Sequence, residues 1–330
     1  MHPTTTLARA RRRRWAVAAL AALFAGLAVA VTGTAGQVRA CLTAPADVHW
    51  AFLVCLGVLS ALHYVLAAVT LRAVAGGGLP FGTTLGVQFT AAAANRLTPG
   101  GLGAAAVNTR YLVCRGIPAA RAVTSVAVMQ AAGAVADLLL LLVIVALSGG
   151  GALRVLASRA GAAAGALPVV PALVLSAVLA LAAVTYGRRA LRSRAFAHAV
   201  AGCAGLLRRP RDLVLTLLAS ASTTLVMALA MAVSALAVPG TGVTPADLWV
   251  LVTAYLVGAA AGAALPSPGG VGGTEAALVA ALTALGVAAG PALQAVLLFR
   301  AVTYWAPVPV GLVTARALRG HEENAGMRKK

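Results

Sequence analysis

Arg96, Asp137, Glu275 and Arg300 stand inside long apolar runs, and His63 lies in another. A charge at the centre of a bilayer costs about 3 kcal/mol on insertion scales, so such residues mark binding or transport paths by default. Arg300 is central in Leu297-Leu298-Phe299-Arg300-Ala301-Val302-Thr303-Tyr304-Trp305, too deep to reach an interface, and therefore requires a buried partner. Tyr304, four residues on, falls on the same helix face. Glu275 follows Gly272 by three residues. It either complements the positive end of a restarting helix, or pairs with Arg300 or a cationic ligand. Arg96 beside Asn95 suits a contact with a lipid headgroup. Asp137 opens a run of five leucines and reads equally as an interhelical pair or a site residue. His63 reads as a satisfied buried histidine.

The backbone supplies a second set of candidates. Thr98-Pro99-Gly100-Gly101-Leu102-Gly103 recurs as Ser267-Pro268-Gly269-Gly270-Val271-Gly272. Proline brings no N–H and consecutive glycines admit conformations closed to other residues, so a helix breaks there. The amides left open at membrane depth are tolerated only in protein or against a wet cavity. A helix restarting after Gly103 or Gly272 aims its positive end inward, which suits an anionic group such as phosphate. The alternative is a pair of ordinary turns at the membrane surface. The substrate-binding set is thus Asn95, Arg96, Pro99, Gly100, Gly101, Gly103, Asn108, Arg110 and Gln130 from the first copy. The second copy contributes Pro268, Gly269, Gly270, Gly272, Gly273, Thr274, Glu275, Arg300 and Tyr304. No metal-ligand spacing, nucleophile–base set or cofactor signature accompanies them, and Cys41, Cys55, Cys114 and Cys203 are scattered as apolar fillers.

The elements that position these residues follow from composition. Of 330 residues, 61% are hydrophobic and 10% charged. A water-facing surface needs about 25% charged residues, and apolar runs of this length without alternation mean helices rather than a barrel. The fold class is therefore an all-α polytopic transmembrane bundle. Six segments are long enough to cross alone, at about 15–36, 49–71, 119–147, 168–187, 212–238 and 291–317. Residues 82–115 and 247–289 are broken hairpins. The limb 248–265, about 27 Å long as a helix, could cross fully. The first segment reads as an uncleaved membrane helix rather than a secretion signal, because its core is too long.

A net charge of +19 raises nucleic-acid binding, but the basic residues fall in short clusters between apolar runs and read as topology determinants beside anionic lipid. With both termini cytoplasmic, only Arg39, Arg154 and Arg159 of the 26 basic residues lie outside, apart from the membrane-embedded Arg96 and Arg300. The first hairpin then opens to the cytoplasm and the second outward. The chain reads as one integral membrane domain over 1–330 of the cytoplasmic membrane. It has a basic cytoplasmic start at 1–14, a first repeat at 82–147, a second at 247–317 and a cytoplasmic tail at 318–330. Gly116 and Gly286, then Gln130 and Arg300, continue the match between copies. Two copies of opposite orientation make an inverted repeat, an architecture of transporters with midplane sites.

Pro268-Gly269-Gly270-Val271-Gly272-Gly273-Thr274-Glu275, Leu285-Gly286-Val287, Leu298-Phe299-Arg300 and Thr303-Tyr304-Trp305 resemble a known C-terminal signature. It is that of the lysylphosphatidylglycerol synthase transmembrane region family, also called flippase-like. Asn95, Pro99-Gly100-Gly101, Asn108-Thr109-Arg110-Tyr111-Leu112 and Gly116 resemble its N-terminal signature in an actinobacterial-type branch. The resemblance implies a membrane module that moves aminoacylated phosphatidylglycerol or another lipid between leaflets. Its partners would be membrane lipids with anionic headgroups, with a homo-oligomer or a lipid-synthesis enzyme as possible protein partners and no nucleic acid. The soluble aminoacyl-transferase domain is lacking, so the chain is expected to be a translocase and not a synthase. Gly133 and Ala134 replace the family's common Glu-Arg pair ahead of Asp137. The competing expectation is a membrane-embedded accessory protein or enzyme of lipid or glycolipid synthesis.

Overall fold

The computed structural model describes residues 50–96, 98, 102–147, 205–264 and 272–327. The expected spans at 15–36 and 168–187, and Pro99, Gly100, Gly101, Pro268, Gly269 and Gly270, lie outside the described residues. The described elements are helical: α1 (Trp50–Val74), α2 (Phe81–Arg96), α3 (Leu102–Cys114), α4 (Ala119–Leu147) and α5 (Pro210–Ala237). A short 3-10 turn (Pro245–Asp247) leads into α6 (Leu248–Ala264), followed by α7 (Gly273–Ala284) and α8 (Ala289–Arg300). A π-turn (Ala301–Trp305) joins α8 to α9 (Pro307–Met327).

Prolines open helices and glycines close them, as backbone chemistry requires. Pro210 begins α5. At the end of α3, the Gly116 N–H donates to the Val113 carbonyl and the Ile117 N–H to that of Leu112. At the end of α7, the Gly286 and Val287 N–H groups donate to Thr283 and Leu282 in the same pattern. Both are left-handed glycine caps, with φ of 83° at Gly116 and 95° at Gly286. The sequence repeat is therefore also a repeat of local structure: long helix, two short limbs, glycine cap, long helix.

Packing shows how the copies are related. Val74 at the end of α1 shares a pocket with Leu206 and Arg209 before α5. Leu56 near the start of α1 shares a core cluster with Met231 and Ala235 late in α5. Thus α1 and α5 run antiparallel, and matched elements of the two copies point in opposite directions. The contacts are reciprocal, as a two-fold relation produces. α9 packs on α2, with Thr90 Oγ1 3.0 Å from Thr314 Oγ1. In the matching place, Ile144 of α4 packs with Val252 and Leu256 of α6.

Among the described residues, five helices are long and apolar enough to cross a membrane: Trp50–Val74, Ala119–Ile144, Pro210–Ala237, Pro245–Ala263 and Ala289–Leu318. The limb α6 is among them once its leading turn is included. α2, α3 and α7, with 16, 13 and 12 residues, fall short of the roughly 30 Å hydrocarbon core. Leu138, Leu139 and Leu142 of α4 are exposed, as lipid-facing side chains are. The last span departs from the single helix expected at 291–317. Pro307 and Pro309 have no N–H for the carbonyls of Thr303 and Trp305, and the helix widens so that Ala306 N–H closes on Ala301 at 2.9 Å.

The hairpin vertices depend on close backbone approach. A Cβ added to Gly103 would lie 2.5 Å from the Ala94 carbonyl oxygen. One added to Gly262 would lie 2.6 Å from Thr274 Cα. Gly103→Val therefore prises α3 from α2. We expect it to lower stability by about 2 kcal/mol, read as an earlier unfolding midpoint in detergent, whereas Gly57→Ala, in open space within α1, does not lower the midpoint.

Candidate functional site

A cavity of about 380 Å³ lies between the two copies and takes side chains from α1 to α8 and the π-turn. Seven of the predicted site residues line it: Asn95, Arg96, Asn108, Gln130, Thr274, Arg300 and Tyr304. Arg96 is the last residue of α2 and Arg300 the last of α8, so each helix places its guanidinium where the regular helix stops.

The chemistry centres on Tyr304. The Arg96 guanidinium carbon lies 4.1 Å from the ring centroid and that of Arg300 4.5 Å, bringing the two charges within about 9 Å of each other. Arg96 Nη2 also donates to the Tyr304 carbonyl at 2.8 Å, and Nη1 donates to Ala92 one turn back. This joins the first copy to the π-turn of the second.

The two arginines are balanced differently. Arg300 Nε is 2.9 Å from Glu275 Oε1, an ion pair rather than an aligned hydrogen bond. Glu275 Oε2 simultaneously accepts the Gly272 N–H at 2.7 Å, capping the helix that restarts after the second break. The two functions weighed for Glu275 are thus performed together. Arg96 has no carboxylate in ion-pair range among the described residues. Its Nε and the adjacent Asn95 Oδ1 are buried without hydrogen-bond partners there. Such orphaned groups point to water or a ligand as the missing partner.

The first break is bridged by a hydroxyl. Thr98 Oγ1 accepts from the Gly103 N–H at 2.7 Å and donates to the Ala94 carbonyl at 3.2 Å, tying the two limbs together. Gly103 is therefore a packing residue at the vertex, and Gly272 and Gly273 form the start of α7; none of the three lines the cavity. Arg110 must be corrected. It is exposed and borders a separate cavity of about 140 Å³ with Tyr111 and Leu318. Asn108 is buried in the site, and two residues along a helix turn the side chain by about 200°, away from it.

The cavity also holds residues outside the predicted substrate-binding set. Asp137 lines it and accepts from Thr224 Oγ1, so its interhelical role and its place in the site coincide. His63 lines it with Nδ1 3.4 Å from the Thr223 carbonyl oxygen. Buried Gln88 donates to Asn108 Oδ1 at 3.1 Å. Thr70 and Thr303 line it too, but each bonds its own helix one turn back, at 3.0 and 2.7 Å. That self-satisfaction hides hydroxyls in sequence, whereas an amide such as Gln88 in an apolar helix is a usable signal. Among the described residues no three His, Cys, Asp or Glu side chains are grouped to hold a metal.

With Glu275 and Arg300 side chains 18% and 11% exposed, removing one charge strands the other. We expect Glu275→Gln to lose about 3 kcal/mol in a chemical-unfolding titration. The double variant Glu275→Gln with Arg300→Met should recover part of that loss, since no buried charge is left unpaired.

No curated protein matches the chain. A family profile described as "Lysylphosphatidylglycerol synthase TM region" matches residues 14–311. The match embraces both hairpins, the cavity and nearly the whole sequence, and the chain belongs to the lysylphosphatidylglycerol synthase transmembrane region family.

Proposed function

We propose that this membrane protein is a translocase for lipids with an anionic headgroup and that the headgroup's phosphate is held in the central cavity by Arg96. The observation that carries the reading is the electrostatic imbalance there. Arg300 is countered by Glu275, whereas Arg96, which also lines the polar cavity, has a buried Nε donor without a hydrogen-bond partner and no carboxylate in ion-pair range among the described residues. A phosphate oxygen on Arg96 Nε supplies the missing acceptor and charge, and a lipid hydroxyl or amine can donate to Asn95 Oδ1. Asn108, Gln130 and Thr274 offer further polar contacts to the rest of the headgroup.

The antiparallel copies support the transport step. A headgroup held between two oppositely directed repeats is exposed to one leaflet or the other when one repeat rocks against its twin, while the acyl chains stay in lipid. The Arg96–Tyr304 contact crosses that boundary and must loosen in the rocking step. The protein acts in this reading at the cytoplasmic membrane, with both termini cytoplasmic, and binds and releases lipid without making or breaking a covalent bond.

In proteoliposomes with a quenchable fluorescent anionic phospholipid, Arg96→Gln should slow leaflet exchange by about tenfold to a hundredfold, and a zwitterionic probe should move more slowly with wild type. Exchange at the wild-type rate with correctly inserted Arg96→Gln protein would sink the assignment. For orientation, with Cys41, Cys55, Cys114 and Cys203 replaced by serine, a cysteine placed at exposed Arg115 should react with an impermeant maleimide only in inside-out vesicles.

A further inference from the structure

A second, smaller cavity of about 170 Å³ lies at the end of the bundle where α1 finishes and α4 and α5 begin. Its polar wall is Arg121, Thr124 and Ser125 of α4 with Arg209, and its apolar wall includes Val74 and Leu206. The charges are placed against ordinary helix rules. Arg121 occupies the first turn of α4 and Arg209 the N-cap of α5, where the helix end is already positive and acidic or hydroxyl side chains belong. Arg209 provides no side-chain cap, leaving first-turn amides of α5 without one. The carboxylate near them is Asp212, 4.0 Å from Arg209 Nη1 and in a largely exposed pair. The guanidinium of Arg209 is laid against Gly76, where a Cβ would come within 2.7 Å of Nη1. Two exposed arginines from different elements, Arg121 and Arg209, thus border one pocket beside the starts of α4 and α5.

We propose that this pocket is an anion site for the phosphate of a bilayer phospholipid, separate from the central cavity. A phosphate between Arg121 and Arg209 neutralises both side chains and accepts from the open end of α5. The apolar wall of Val74 and Leu206 continues into helices that face lipid, which favours a phosphate attached to acyl chains over a free ion. The lipid held here is structural: it fastens the first copy, through α1 and α4, to the start of α5.

The test uses the full chain in phosphatidylcholine nanodiscs, with thermal unfolding followed as phosphatidylglycerol is added. The midpoint should rise with the anionic lipid, and Arg121→Gln or Arg209→Gln should each raise the lipid fraction needed for half the effect by about tenfold. Arg115→Gln, an exposed charge outside the pocket, should respond as wild type does, and Arg96→Gln in the central cavity should keep the part of the response that depends on Arg121 and Arg209. Equal responses from wild type and the two pocket variants would overturn the site. So would loss of the response in Arg96→Gln alone, which would place the stabilising lipid in the transport cavity. Inorganic phosphate matching the lipid's effect would reassign the pocket to a free anion and overturn the lipid reading. Should a single variant not insert, Thr124→Phe, which fills the pocket without changing its charge, should abolish the lipid response, and an unaltered response would reject the site.

Discussion

A guanidinium in the interior of a membrane protein must find charge, acceptors or aromatic surface within reach, because hydrocarbon supplies none of them. Here two of them, Arg96 and Arg300, meet that demand on one ring, Tyr304, and the rest of the site follows from how they do it. Arg96 reaches from the first copy to the Tyr304 backbone, and Arg300 reaches to Glu275 at the restart after the second break. Glu275 in turn holds the Gly272 amide. One chain of polar contacts therefore links a helix end, a π-turn and a broken hairpin, and it does so across the interface between the copies.

The duplication gives the same scaffold twice but not the same chemistry. Gly116 and Gly286 close equivalent limbs with the same pair of backbone bonds, and Gln130 and Arg300, equally spaced beyond them, both reach the cavity. A two-fold relation brings equivalent residues around its axis, so the central cavity is where paired positions converge. The pairs are unlike. One position carries an amide and its twin a cation. Asn95 and Arg96 correspond to Ala264 and Leu265, and Glu275 corresponds to Ala106. The first break is satisfied by the Thr98 hydroxyl and the second by the Glu275 carboxylate. A symmetric scaffold with asymmetric charge suits a site that treats the two leaflets differently.

The π-turn connects this electrostatics to the helix backbone. Prolines at 307 and 309 withdraw two N–H donors, and the wider turn accommodates the loss just where Arg96 needs an acceptor. The Ser60 hydroxyl, donating to the Val302 carbonyl at 3.4 Å, brings α1 to the same turn. Backbone irregularity and buried charge occur together because each supplies what the other lacks.

Much of this was legible in order of sequence range. Hydrocarbon forces every backbone amide to be paired locally, so long apolar runs declare their helices, and α1, α4 and α5 lie within a few residues of the expected spans. Gly-Pro punctuation is equally local, and it marked both hairpins. Buried charges announce themselves because they are rare, which is how Arg96, Arg300 and Glu275 were found. What sequence could not convey is which face of a helix meets which neighbour. Arg110 and Asn108 stand two residues apart in one motif, yet only packing decided that Asn108 enters the cavity and Arg110 leaves it. Gln88, Thr224 and the shared ring of Tyr304 belong to the site only because α2, α5 and the π-turn come together from distant parts of the chain. Periodicity and composition are local properties and determined the elements; the partner of each buried charge is a long-range property, and the tertiary structure alone decided it.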